Sequence, residues 1–337
     1  MTAGIIWAIL AGIMLGLYAL PEKFTKDFEF ENTWGLMFFI NMLIVPFLAG
    51  FALVNGFTEI LGSIPTDVLL KMAIAGTLWG IGVMMWGKAI DYIGLSLGFS
   101  IFIGTVILVG SLLPFLVDGT PPSTVFITIL GGILVVLLGI IANGKAGLTR
   151  EADESNDAQT NTTGNSVGTG ISIAVVGGLL ATGFSYANAV GRPIIHEASQ
   201  AAGNPEWVTA VVVIFVIYVA GALFVIPYFI YQLSKKDFWG NFSTSHLGRN
   251  IGLTSVMGVL NFAASAAFAY AAFLLGSAGN TVGYAIFNTI CVAVAIVSGL
   301  ITGEWIKASS KAKRFLYMGL AAMIAGVLVI AIGNGMG

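Results

Sequence analysis

Residues 76–104 read GTLWGIGVMMWGKAIDYIGLSLGFSIFIG, and residues 258–289 read GVLNFAASAAFAYAAFLLGSAGNTVGYAIFNT. Laid over one another, Gly76, Trp79, Trp86, Ala89 and Gly94 fall on Gly258, Asn261, Phe268, Ala271 and Gly276 at an offset of 182. Gly98, Ile101 and Gly104 then fall on Gly283, Ile286 and Thr289 at an offset of 185, so one three-residue insertion separates the two blocks. Each stretch covers parts of two apolar segments, the third and fourth in the first case and the eighth and ninth in the second. A hydrocarbon core about 30 Å thick needs roughly 20 apolar residues of helix to cross it. Ten segments meet that length, at about 3–20, 34–55, 68–90, 95–116, 122–142, 169–190, 207–231, 250–275, 281–302 and 314–334.

The rest of the composition fits. The chain is 57% hydrophobic and 9% charged, which leaves little for a soluble domain. Mean hydropathy is +0.96, and the 44 glycines suit helices that approach closely in lipid. A net charge of −2 with no basic patch gives nucleic acid no place to bind. The single cysteine, Cys291, allows no intramolecular disulfide, and two histidines are too few for a histidine metal site. No cofactor is called for. The first 20 residues lack a basic n-region and read as a retained first helix.

Residues 143–168 are the clear break in composition, rich in Asn, Thr, Ser and Gly and carrying Glu151, Asp153, Glu154 and Asp157. They read as a flexible acidic linker between a first five-helix repeat (1–142) and a second (169–337). Five is odd, so the second repeat enters the membrane inverted, the plan of many secondary transporters. The expected fold is an all-α integral membrane protein of ten transmembrane helices in a five-plus-five inverted repeat. Twelve of the 14 basic residues follow odd-numbered segments, leaving only Lys71 and Arg192 on the other side. The positive-inside rule then puts both termini on the non-cytoplasmic side and the linker in the cytoplasm. Asn161-Thr162-Thr163, a glycosylation pattern, would not be used there.

Polar groups in hydrocarbon are costly, so their positions are informative. Those within segments are uncharged: Asn41, Trp79, Trp86, Tyr186, Asn188, Asn261, Tyr270, Tyr284, Asn288 and Thr289, with Asn280 at the mouth of the ninth. Amides bond hydroxyls in both directions, and indole faces cover the C–H side of a sugar ring. Trp79 and Trp86 are therefore expected to stack on a ligand. Asn188, Asn261, Asn280, Tyr284 and Asn288 would bond it, with Tyr270 on the same helix as Asn261. No acidic residue sits at the centre of a segment. The proton-carrying candidates are Asp91, near the end of the third segment, and the neighbouring His196 and Glu197. That pair lies in a short amphipathic turn bracketed by Pro193 and Pro205, expected as an external connection between the sixth and seventh helices.

Several blocks together carry a resemblance: Trp7 to Tyr18 with Lys23 to Trp34; Trp79-Gly80-Ile81-Gly82, Gly87 and Tyr92 to Gly98, on to Gly104-Thr105 and Val109-Gly110; Gly178 through Ser185 to Pro193, His196-Glu197-Ala198 and Pro205; and Glu304-Trp305. In that order they are similar to the L-rhamnose–proton symporters of the drug/metabolite transporter (DMT) superfamily, across essentially the whole length. The resemblance implies ten helices in two inverted repeats around one central cavity, with alternating access and substrate near the midplane. It also implies a sugar substrate, protons as coupling ion and an inner-membrane location. The chain departs from the family pattern at Asn261 to Ala266 and Gly279 to Gly283, where bulkier polar groups and an acid are usual. A roomier, less charged cavity is the expectation. An exporter of other metabolites or drugs on the same fold stays open. A membrane enzyme would need catalytic clusters inside helices, a sensor an output domain and a channel a charged ring, and the sequence offers none of these.

Overall fold

The computed structural model describes residues 2–117, 122–157, 167–276 and 279–335. Every regular element among them is helical. The long helices are α1 (Thr2–Leu17), α5 (Thr66–Ile93), α6 (Leu95–Val117), α7 (Ser123–Asp157), α10 (Glu206–Lys235), α11 (Leu247–Leu275), α12 (Tyr284–Ile301) and α13 (Ser310–Gly335). Two spans are built from pairs: α2 (Phe30–Phe39) with α3 (Val45–Leu53), and α8 (Val167–Ala181) with α9 (Gly183–Ala201). A short α4 (Phe57–Ser63) links α3 to α5. Among the described residues, nine helices are long and apolar enough to cross a membrane; α6 stands where the fourth span was expected, with Leu97–Val109 as its apolar core.

Local chemistry explains the breaks. Pro46 has no N–H to return to the Met42 carbonyl, so α2 passes into α3 through a wide π-type turn at Ile40–Ile44. Gly94 ends α5 at a φ of +80°, and Gly276 follows α11 at +59°. These are paired positions of the internal echo, and a left-handed residue there favours glycine.

Two stretches differ from expectation. The linker does not begin at residue 143: α7 runs on as helix to Asp157, and the rest of the stretch, 158–166, lies outside the described residues. The polar residues of its first part are held by contacts distant in sequence. Asn143 is buried against Met323, and Arg150 reaches Glu304 at 3.5 Å with its guanidinium over the Trp305 ring. The second is the short amphipathic turn of helix expected between Pro193 and Pro205, which is instead part of a longer helix, α9, running through Pro193. Pro193 forfeits one backbone bond and α9 continues to Ala201. Ile195 and Ser199 are buried along it.

The packing follows a pattern. Helix α1 lies against α11 and α12, while α8 lies against α5 and α6. Helix α10 packs on α2, α3 and α5, and α11 packs on α2 and α3 as well. The pairs α6–α12 and α7–α13 complete the bundle. Small residues set these approaches. A Cβ on Gly12 would lie 2.6 Å from the Phe287 carbonyl oxygen, and one on Gly178 would lie 2.8 Å from that of Phe102. Lipid-facing positions such as Leu48, Phe51, Leu223 and Ile301 are exposed, as a bilayer protein requires.

Where α7 ends, Asp153 accepts a hydrogen bond from the Ser309 backbone N–H at 2.9 Å, tying α7 to the start of α13. The hydrogen bonds from Ser309 hold its carboxyl below the ordinary carboxylate range. A depressed folded-state value means the tie is intact above the usual pKa of about 3.9 and is lost as pH falls through the lower, folded value. The protection factor of the Ser309 amide, its exchange corrected for the intrinsic pH dependence, should therefore fall on acidification below pH ~4, and Asp153→Ala should show the lower protection already at neutral pH. Equal exchange in both chains at neutral pH would refute the tie.

Candidate functional site

At the centre of the bundle is a cavity of about 60 Å³. Helix α5 supplies Trp79, Val83 and Trp86, spaced four and three apart on one face. Helix α11 supplies Asn261 and Ser265, again one turn apart, and α12 supplies Tyr284, Phe287 and Asn288. Leu15, Phe102 and Phe184 close the remaining sides. No charged side chain lines it.

Five of the eight expected ligand-facing residues thus meet: Trp79, Trp86, Asn261, Tyr284 and Asn288. Asn188 is buried with its Oδ1 unpartnered but is not in the lining. Asn280 belongs to the wide turn Gly279–Gly283, and its side chain lies outside the described residues. Tyr270 faces elsewhere. It is nine residues from Asn261, which at 100° per residue puts it on the opposite side of α11. There it meets the edge of Trp7 at 5.7 Å. With Trp7, Ala49, Trp207, Phe262 and Ala266 it lines a second, apolar cavity of about 640 Å³.

The cavity walls are aromatic. Trp86 stacks on Phe102 at 4.5 Å with rings 4° from parallel, and Trp79 lies 4.4 Å from Tyr218. The expected roominess is absent because these rings, with Phe184 and Phe287, fill the space that the alanines of α11 leave. Room for roughly four waters is too little for a sugar ring.

The polar groups form a linked set. Tyr218 Oη lies 2.7 Å from Asn261 Oδ1 and 2.6 Å from Ser265 Oγ, and Asn41 Nδ2 donates to the same Asn261 Oδ1 at 3.1 Å. Asn288 Nδ2 donates to the Tyr284 carbonyl at 2.8 Å. The Trp86 indole N–H is buried and unpartnered. Sequence reasoning passed over Tyr218 and Ser265. The available signal was a lone hydroxyl in the apolar run Val211 to Phe224, since a buried tyrosine needs a hydrogen-bond partner.

A third feature lies one turn beyond Leu15 along α1. Tyr18, packed on Trp86, Trp34 and Phe99, separates the central cavity from a polar recess of about 340 Å³. Glu22, Lys23, Asp91, Gly94, Thr302 and Glu304 line that recess. Glu304 pairs with Arg150 at 3.5 Å and Lys23 at 3.9 Å, and Glu22 accepts the Trp34 indole N–H at 2.5 Å. Asp91 is paired with Lys88 at 2.9 Å. The other two proton candidates lie away from both spaces. Glu197 is exposed, and His196 Nδ1 sits 3.1 Å from Thr209 Oγ1.

The centre is thus uncharged and aromatic-walled, with a recess lined by charged side chains at one end. The family model L-rhamnose-proton symport protein (RhaT) matches residues 1–337. The chain belongs to the L-rhamnose-proton symport protein family. Its curated relatives include the L-rhamnose-proton symporter of Yersinia pestis, 24% identical over 344 residues, covering 98% of this chain and 97% of the relative. That of Citrobacter koseri is 24% identical over 341 residues, covering 98% of both. The rhamnose symport family is one of membrane transport proteins, not of enzymes.

Proposed function

We propose that this chain is a secondary active carrier that moves L-rhamnose or a related neutral deoxysugar across the cell's inner membrane by alternating access, coupled to protons. The observation that carries the reading is the central cavity, where uncharged hydrogen-bonding groups of α11 and α12 share one lining with two tryptophans of α5. Family membership over the full length supports the substrate class.

Ten spans in two inverted repeats, 1–142 and 169–337, are part of the same proposal, with both termini outside and a DMT-type arrangement. The packing supports it. Gly12 meets the Phe287 carbonyl and Gly178 that of Phe102, and Phe287 follows Phe102 by 185, the offset of the echo. Gly4 meets Leu275 and Gly170 meets Ile93, which are separated by the other offset, 182. The same exchange turns the α1–α11 contact into α8–α5.

The repeat also offers a physical reading of access. The 640 Å³ cavity lies among α1, α3, α10 and α11, towards the start of α1. Its counterpart at the other end is filled by Phe30, Trp34, Phe38 and Phe229, packed with ring centroids 5.6–6.1 Å apart, and is flanked by the Lys236–Glu31 pair at 2.7 Å. One end is roomy and the other plugged, which is the asymmetry that alternating access needs. Sugar would reach the centre from the side of Trp7 and Trp207 and leave past Tyr18.

Of the proton candidates, Asp91 is best placed, because it shares the recess with Glu22 and Glu304; His196 and Glu197 remain candidates on the opposite side. Asp91→Asn should cut gradient-driven accumulation by on the order of tenfold while leaving sugar exchange at equilibrium close to wild type. Retained accumulation in Asp91→Asn, and its loss in His196→Gln, would shift the role to the other end.

The substrate is tested by counterflow. Liposomes preloaded with L-rhamnose should take up external labelled L-rhamnose transiently above equilibrium, and an unrelated charged sugar should not compete. The apolar 640 Å³ cavity favours a second reading, a carrier of amphipathic metabolites on the same fold. Competition by such compounds without competition by sugars would select it.

A further inference from the structure

The cavity's polarity is set by a residue that does not line it. Asn261 Oδ1 is approached by two groups, Asn41 Nδ2 at 3.1 Å and Tyr218 Oη at 2.7 Å. Tyr218 can donate there and still be satisfied, because Ser265 Oγ lies 2.6 Å away and can donate to the tyrosine oxygen. A carbonyl oxygen has two lone pairs, and this one has a donor for each. The Asn261 amide nitrogen, which has no partner among the described residues, is left to the cavity. The opposite orientation would strand both N–H groups of Asn41 in the bundle. Unpaired buried N–H groups are rarer than under-satisfied carbonyls, and here it is Asn41 Oδ1 that is unpartnered. On the α5 wall, the Trp86 indole N–H is a second donor without a partner. Across the cavity, Asn288 gives one N–H to the Tyr284 carbonyl, and its Oδ1 is the acceptor on that side.

We infer that Tyr218 is a positioning residue that fixes the Asn261 amide so that the site presents N–H donors from α5 and α11 and an acceptor from α12, and thereby selects ligands by the hydrogen-bonding sense of individual hydroxyls. The inference rests on the sugar-carrier reading. It makes α10, which contributes nothing to the lining, part of the specificity of the site. The Trp79 ring, packed at a tilt on the Tyr218 ring with centroids 4.4 Å apart, holds the phenol in place.

The test uses the full chain in liposomes, with L-rhamnose uptake challenged by its monodeoxy and monofluoro analogues. Fluorine accepts weakly but cannot donate, and a deoxy position does neither. At the hydroxyls facing Asn261 and Trp86, the fluoro analogue should compete within a few-fold of rhamnose. The deoxy analogue should be weaker by about 10- to 100-fold, the span of a lost buried hydrogen bond. At the hydroxyl facing Asn288 both analogues should fail alike. In Tyr218→Phe, which keeps the ring on Trp79, the fluoro-over-deoxy preference at the Asn261 position should collapse, with KM rising more than kcat falls. Ser265→Ala should weaken the same preference in a milder background, in case the phenylalanine variant is poorly produced. A wild type in which fluoro and deoxy analogues are equally weak at every position would overturn the inference, as would Tyr218→Phe with the preference intact. Those results come with rhamnose transported. No rhamnose uptake and no competition by any analogue would instead remove the carrier reading on which the inference stands.

Discussion

Replacing Asn261 with leucine abolishes sugar uptake, with a fall in kcat/KM on the order of 10²-fold or more. The substitution takes away the amide that faces the cavity. It also leaves Asn41 Nδ2 without its acceptor at 3.1 Å, while Tyr218 Oη keeps the backbone carbonyl of position 261 at 3.2 Å and Ser265 Oγ at 2.6 Å. A buried polar group left unpaired costs about 1–3 kcal/mol, and each 1.4 kcal/mol is tenfold in affinity. Leucine fills a similar volume, so the chain should still be extracted folded, with a lowered unfolding temperature. Asn288→Leu is the milder partner. It removes one acceptor and the bond to the Tyr284 carbonyl, for roughly tenfold. Calorimetric binding of L-rhamnose to the purified proteins separates loss of the site from loss of the fold. Unchanged affinity in Asn261→Leu would remove the central cavity from the mechanism.

The second large effect is on folding. Gly12→Val and Gly178→Val should each reduce recovery of monodisperse protein to near background. The added Cβ would lie 2.6 Å from the Phe287 carbonyl oxygen in one case and 2.8 Å from that of Phe102 in the other, before the two methyls of valine are placed. Both obstacles are helix backbone, so relief requires moving α1 away from α12, or α8 away from α6. Overpacking by even small groups costs 1–3 kcal/mol, and these contacts are worse than that, against a total stability of about 5–15 kcal/mol. Gly252→Ala is the control: its Cβ meets nothing within 4 Å, and alanine should stabilise α11 by roughly 0.5–1 kcal/mol. Fluorescence-detected size exclusion reads all three. Normal recovery of either valine variant would contradict the close crossings on which the bundle depends.

Much of this architecture was legible because lipid simplifies the code. Long apolar runs locate spans, nine of them among the described residues. The positive φ at both Gly94 and Gly276 is the physical content behind one pair in the internal echo. Trp79, Trp86, Asn261, Tyr284 and Asn288, which share the cavity lining, stand out in the sequence as indole or polar side chains within apolar segments.

What was not legible depends on partners distant in sequence. The start of the linker looked solvated because its residues are polar. Arg150 is instead held by Glu304 and Trp305, and Asn143 by Met323, more than 150 residues away. Pro193 looked like punctuation because its effect depends on whether neighbouring helices support the chain on both sides, which they do. Tyr270 could have been excluded from the cavity by its half-turn from Asn261. Tyr218 was hidden by the apolar residues around it, although those residues are what make its hydroxyl consequential.

The most direct test of the central claim is L-rhamnose uptake into proteoliposomes with and without an inward proton gradient. Accumulation above the external concentration is expected when the gradient is imposed, collapse to equilibrium when it is dissipated, and neither with Asn261→Leu. Protein that is folded and sealed in liposomes but moves no L-rhamnose under either condition would contradict it.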